Sequence, residues 1–153
     1  MNTIQKITAD KYDYMDLLLI ADPSEKAIAK YLGDSDLFVM FEADKPVCVA
    51  VVKKVSDNIC EIKNIAVTKM RRGYGSEMID YICDYYKDSY KFMEVGTADT
   101  SIGNIRFYER NGFAVKHQID NYFIDNYDET IYEDGVQCRH MVMLQRSLDE
   151  QEG

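Results

Sequence analysis

Residues 59–86 constrain the fold of this chain more than any other stretch, because they join a strand signal to a helix signal through a short glycine-bearing turn. Residues 59–67, ICEIKNIAV, are rich in β-branched side chains and follow the turn-forming Asp57-Asn58, so they read as a buried or half-buried strand. Further on, Gly75, Met78, Ile79, Ile82, Cys83 and Tyr86 keep the i, i+3, i+4, i+7 spacing of one buried helical face. The hinge between them is Met70-Arg71-Arg72-Gly73-Tyr74-Gly75. Arginines at a helix start are misplaced electrostatically, since the unpaired N–H groups there carry about half a positive charge and each added cation costs about 0.3–1 kcal/mol. The sign reverses if an anion sits on that helix end, where N–H groups and guanidiniums converge on it. Gly73 and Gly75 then remove side chains that would hold a phosphate away from the backbone. The same residues also suit a plain strand-to-helix turn with two solvated arginines.

Upstream, residues 4–8 alternate weakly as a first strand, and residues 11–20 show helical spacing at Tyr14, Leu17 and Leu18. Asp22-Pro23 is a helix start signal, Asp22 capping and Pro23 at the first helical position, for a second helix ending near Gly33. Residues 37–41 and 47–55 flank Asp44-Lys45-Pro46 and predict a hairpin. Downstream, residues 92–97 predict a strand and residues 101–111 a helix closed by Gly112. Residues 113–123 and 137–144 predict two strands joined by an acidic, tyrosine-bearing connection. A central strand-helix-strand unit with antiparallel strands on either side implies an α/β (α+β) fold, a mixed sheet with helices on its faces.

With 153 residues and no linker-like segment, the chain is expected to form one domain, residues 1–153. The longest apolar run, Leu17-Leu18-Leu19-Ile20-Ala21, is too short to span a bilayer, and no apolar run follows basic residues at the N-terminus. The expectation is a soluble, cytoplasmic protein. Cys48, Cys60, Cys83 and Cys138 are scattered, which predicts free buried thiols in a reducing compartment and no metal site. The formal net charge of −9 disfavours broad binding to nucleic acid or anionic membranes. It leaves room for an anionic cofactor, because fields beyond about 8 Å are largely screened at physiological salt and the charges of Arg71 and Arg72 act locally.

The hinge resembles the pyrophosphate loop of the GNAT acyl-CoA N-acyltransferases, Gln/Arg-x-x-Gly-x-Gly/Ala. Arg71-Arg72-Gly73-Tyr74-Gly75 matches all but the first position, held here by Met70. A second block, Phe107-Tyr108-Glu109-Arg110-Asn111-Gly112-Phe113, is similar to the family's "fYek-GF" helix end, and the resemblance spans residues 4–144. It implies about seven strands and four helices, with a splay between the fourth and fifth strands that takes the pantetheine arm of acetyl-CoA. Ile65, Ala66 and Val67 would pair with that arm as a neighbouring strand does, while Arg71, Arg72, Gly73, Tyr74, Gly75 and Ser76 would hold the pyrophosphate. The family usually has Asn at the Ser101 position as a pantetheine ligand, so either Ser101 or Asn104 fills that role here.

Acetyl transfer from a thioester to an amine needs a neutral amine, a polarised carbonyl and a proton for the departing thiolate. Tyr108 aligns with the family's thiolate-protonating tyrosine. Glu61 aligns with a catalytic glutamate of some members, and it equally suits an outward-facing strand residue paired with Lys63 or Lys53. His117 suits a surface position, and Tyr81, Tyr85, Tyr86 and Tyr90 suit packing on one helix. Tyr122, Tyr127 and Tyr132 lie in the region that closes over the acyl group in the family. The resemblance therefore implies an acetyl-CoA-dependent N-acetyltransferase of a small primary amine, with a non-catalytic acyl-CoA-binding module and a protein N-terminal or lysine acetyltransferase as alternatives; the family's frequent dimers leave a homodimer open. Asp120, Asp125, Asp128, Glu129, Glu133 and Asp134 occur in or beside a segment, 121–137, that has no Lys or Arg. They suit a solvated loop or, with the tyrosines, an entrance for a cationic amine, and the expectation drawn from them is a small, polycationic amine as acceptor.

Overall fold

The computed structural model describes residues 2–149. Its sheet comprises β1 (Asn2–Ile7), β2 (Asp36–Glu42), β3 (Lys45–Lys54), β4 (Ile59–Val67), β5 (Phe92–Ala98), β6 (Ala114–Ile119) and β9 (Met141–Ser147), in the spatial order β1-β2-β3-β4-β5-β9-β6. Among the described strands only β4 and β5 pair in parallel, joined by α3 (Tyr74–Tyr86). The other helices are α1 (Met15–Ala21), α2 (Glu25–Leu32), α4 (Ile102–Arg110) and α5 (Tyr122–Asn126). The mixed sheet of seven strands is the expected one.

Two apolar clusters cover the two faces of the sheet. Met78, Ile79, Ile82 and Tyr86 of α3 pack with Tyr108 of α4 onto Phe38, Ala50, Cys60 and Met93. Leu18, Ile28 and Leu32 of α1 and α2 pack onto Leu37, Val39, Val49 and Val51. Alternation along β2 and β3 produces this division, since successive side chains point to opposite faces.

In β4 the division depends on a bulge. Val51 pairs with Asn64 and its neighbour Val52 pairs with Ile62, so Lys63 is the extra residue. Before the bulge, Cys60 and Ile62 face α3; after it, Ile65 and Val67 do, and Ala66 joins the α1/α2 side. The parallel ladder to β5 also ends there, its last pair being Ile62 with Val95. A bulge bends its strand and sharpens the local twist. β4 and β5 therefore part at the bulge, and among the described residues the β5-facing edge of β4 from residue 63 to 67 has no strand partner.

Several local expectations change. Residues 11–20 divide into a 3-10 turn, Lys11–Tyr14, and α1. Ser24, not Asp22, caps α2, its hydroxyl accepting from the Ala27 N–H at 3.0 Å. The strand expected over residues 113–123 ends at Ile119, and the acidic connection after it holds α5 and a small hairpin of β7 (Tyr132–Glu133) and β8 (Val136–Gln137). Helix and hairpin are too short for periodicity to show. Among the described residues there are five α-helices, against the expected four or so.

Candidate active site

The turn into α3 builds a cationic rim at one end of the splay. Arg71 and Gly73 adopt φ of 62° and 75°, with Arg72 between them outside the left-handed region. Such alternation turns successive N–H groups toward one side, the geometry of an anion-binding concavity. Arg71 and Arg72 are exposed, and Ser76 is half-buried in the first turn of α3. Tyr74 turns inward, its hydroxyl donating to Glu42 Oε2 at 2.8 Å, so it offers this rim only backbone. Gly75 serves packing: a Cβ there would lie 2.8 Å from Cζ of Phe107, so α3 and α4 approach closely only with glycine at this position. Substituting Gly75 thus disturbs the helix contact as well as the rim.

Along the splay, Ile65 and Val67 pack into the α3 cluster while Ala66 faces α1 and α2, leaving the backbone edge of these residues toward β5. An extended chain bearing amides fits that edge, since unpaired strand N–H and C=O groups are a template for such a partner. Across the gap, Asn104 is exposed on α4 with its Nδ2 donating to Thr97 Oγ1 at 3.4 Å. Ser101 is buried and its hydroxyl donates to Glu133 of β7, so of the two candidates Asn104 has the side chain open to a ligand.

Tyr108 is 7% exposed, held edge-on between Phe107 and Phe113 with ring centroids at 5.3 and 5.9 Å. Among the described residues its hydroxyl has no hydrogen-bond partner. Burial pushes its pKa up, which keeps the phenol protonated.

Glu61 lies on the opposite face of the sheet, in a cleft of about 240 Å³ between the sheet, α2 and α5. Its carboxylate is 3.4 Å from Lys63 Nζ, the side chains being 18% and 24% exposed. The pair foreseen with Lys63 forms, yet it lies inside a cleft instead of on open surface. Burial raises the Glu61 pKa, with Lys63 opposing the shift. The cleft reaches the end of the β4–β5 ladder at Ile62 and Gly96.

The rest of the cleft was not singled out from sequence. Asp22, 8% exposed, accepts from Tyr31 and Tyr127, each at 3.1 Å, and from the Ser24 N–H at 3.3 Å. Asn64 donates to the Tyr31 hydroxyl at 3.2 Å and to the Leu18 carbonyl at 2.9 Å. Reading Asp22 as a cap hid this network; the available signal was Ser24, the better-placed cap two residues later. Tyr122 and Tyr127 line the cleft as foreseen, whereas Tyr132 is 64% exposed and does not. The acidic run disperses: Asp128 pairs with Lys26 at 2.7 Å, Glu133 holds Ser101, and none of its six carboxylates lines the cleft. His117 lies on the exposed β6. Among the described residues no group of His, Cys, Asp and Glu has the arrangement of a metal site.

A bulged fourth strand, a gap beside it and a glycine-arginine turn at the following helix form a specific combination, and the comparisons agree with it. The acetyltransferase (GNAT) family model matches residues 5–113. The chain belongs to the GNAT acetyltransferase family. The uncharacterized N-acetyltransferase YvbK of Bacillus subtilis is 35% identical over 136 residues, covering 87% of this chain and 88% of that protein. A GNAT family acetyltransferase from Elizabethkingia anophelis, solved with acetyl-CoA bound, superposes with a TM-score of 0.91 at 32% identity, over 95% of this chain and 97% of its own. A Bacillus subtilis acetyltransferase in complex with CoA has a TM-score of 0.86 at 31% identity, over 96% and 99%. As a GNAT acetyltransferase the chain is an enzyme of acyl transfer.

Proposed function

We propose that this GNAT domain is an acetyl-CoA-dependent N-acetyltransferase of a small primary amine. The observation that carries the reading is the splay: a strand edge without a partner, bounded by the Arg71–Gly75 turn and opening onto the cleft of Glu61. Ile65, Ala66 and Val67 pair with pantetheine amides, Asn104 supports the arm from α4, and Arg71, Arg72 and the N–H groups of residues 73–76 take the pyrophosphate. The amine enters from the cleft face and attacks the thioester carbonyl; its proton passes to Glu61, directly or through water, and the C–S bond breaks. Tyr108, on the other face, gives its proton to the leaving thiolate. With unperturbed values near 10 and 8.5 that transfer is uphill by about 2 kcal/mol, and burial of the phenol adds to it, which a catalytic barrier tolerates.

A module that only binds acyl-CoA needs neither a cleft carboxylate nor a phenol with an unspent hydroxyl. The four free cysteines, all buried, fit a reducing compartment such as the cytoplasm. No helix among the described residues is long and apolar enough to cross a membrane. The test is coenzyme A release over a panel of amines, with a peptide pool as the competing acceptor class, alongside acetyl-CoA binding by calorimetry. Arg71→Glu/Arg72→Glu should weaken acetyl-CoA binding at least about tenfold without lowering Tm. Unchanged affinity would remove the rim from the cofactor site, and turnover confined to peptides would replace the small amine with a protein acceptor.

A further inference from the structure

The charges lining the cleft differ in sign from the protein as a whole. The chain carries −9, yet Lys30, Lys53 and Lys63 face the cleft against only Asp22 and Glu61. The two carboxylates are already engaged. Asp22 is buried and its oxygens accept from two tyrosine hydroxyls and a backbone N–H, and Glu61 is held by Lys63. Lys63 is engaged as well, its ammonium 5.8 Å from the centroid of the Tyr31 ring. The remaining two cations act on carboxylates only at longer range, Lys53 on Glu61 and Lys30 on Asp128. Lys53 is half-buried on β3, directly across the ladder from Glu61, and Lys30 is exposed in the last turn of α2. Among the described residues neither has a salt-bridge partner.

We propose that the acceptor amine carries a carboxylate, as an amino acid does, and that Lys53 and Lys30 hold this carboxylate while the amino group lies toward Glu61. The inference rests on the reading of the cleft as the amine site. Three lysines against two carboxylates that already have partners disfavour a simple polycation, and the six carboxylates of the acidic run lie outside the cleft. For a carboxylate-bearing amine the same charges bind one end and aid the chemistry at the other. Nearby cations favour the neutral form of an amine, so less of the deprotonation falls to Glu61. The field is local enough to outweigh the net negative charge, since distant charges are screened beyond about 8 Å.

The test compares matched acceptors, amino acids against their carboxamides and decarboxylated amines, with wild type, Lys53→Met and Lys30→Met. Both lysines lie at the surface or half-buried, so the variants keep the fold. Expected is a kcat/KM for the carboxylate member exceeding that of its partners by about tenfold or more, expressed mainly in KM, and a ratio that falls toward unity in each variant while acetyl-CoA affinity holds. Calorimetric binding of the same pairs to the coenzyme A complex separates this proposal from the reading beneath it. Tighter binding of the carboxylate member, lost in the variants, supports it even if nothing is turned over, in which case amine acetylation alone fails. Equal or weaker binding of the carboxylate member, or no binding of it in any pair, overturns the proposal whether or not acetyl transfer occurs.

Discussion

Tyr108 and Glu61 divide the proton transfers between two faces of one sheet, and each can be tested singly. Tyr108→Phe keeps the rings of Phe107 and Phe113 in contact and removes only the hydroxyl. Turnover should fall by a factor on the order of 10 to 1,000 while acetyl-CoA affinity stays within about twofold, measured by steady-state kinetics and calorimetry. Full activity would assign the proton to water. For Glu61, burial raises the pKa above the ordinary 4.5. Its base form therefore appears at higher pH than a solvated carboxylate's, and kcat/KM should rise with pH through a group above the usual carboxylate range. Glu61→Gln should erase that limb, and the loss should be greatest above it and below the pKa of the free amine, where Glu61 is ionised and few amines are neutral; a loss equal at every pH would mark Glu61 as a positioning group. The same shift acts on stability. A carboxyl with its folded pKa raised favours the folded state most below 4.5, and this contribution is lost as pH rises through the folded value. The Tm of Glu61→Gln relative to wild type should therefore climb between pH 4 and 7, as read from melts across that range.

At the scale of elements, the bulge at Lys63 is where fold and function meet. It reverses the alternation of β4, so that buried residues at even positions serve the α3 side before it and the α1/α2 side after it. Deleting Lys63 removes the extra residue and still leaves Asn64, Ile65, Ala66 and Val67 on the faces they occupy now, because the deletion replaces one change of parity with another. The variant should fold cooperatively. With the strand straightened, β4 and β5 continue their ladder past Ile62 and the free edge closes, so coenzyme A affinity should drop by about tenfold or more. Undiminished affinity in a folded variant would show that the gap does not depend on the bulge. The β-branched side chains of residues 59–67 and the turn at Asp57-Asn58 identified the strand; which residue is left out of the pairing is decided by the neighbouring β3, which the local sequence does not contain.

For the whole molecule, two layers of helices on one sheet leave the thiols inaccessible. Cys48, Cys60, Cys83 and Cys138 are all free and buried, and desolvation pushes the first three up to about 12, 12 and 11. Native protein should therefore react slowly with a disulfide reagent at neutral pH, and four thiols should appear on unfolding, counted by absorbance. A fast-reacting thiol in the native state would contradict the packing of the cluster that holds Cys48, Cys60 and Cys83.

What the sequence determined is what short-range chemistry encodes: the β4 strand, the amphipathic α3, the arginine-glycine turn, the Gly112 helix end beside Tyr108, and from their order a mixed sheet. What only the tertiary structure decided is what depends on residues distant in the chain. Phe107 explains Gly75 from more than thirty positions away. Glu133 takes Ser101 and leaves Asn104 open. Asp22, Tyr31, Asn64 and Tyr127 become one network only when α2, β4 and the segment after α5 converge. Charge in a linear sequence cannot say which face receives it, so the acidic run suggested a cationic acceptor while folding sent those carboxylates outside and turned three lysines into the cleft.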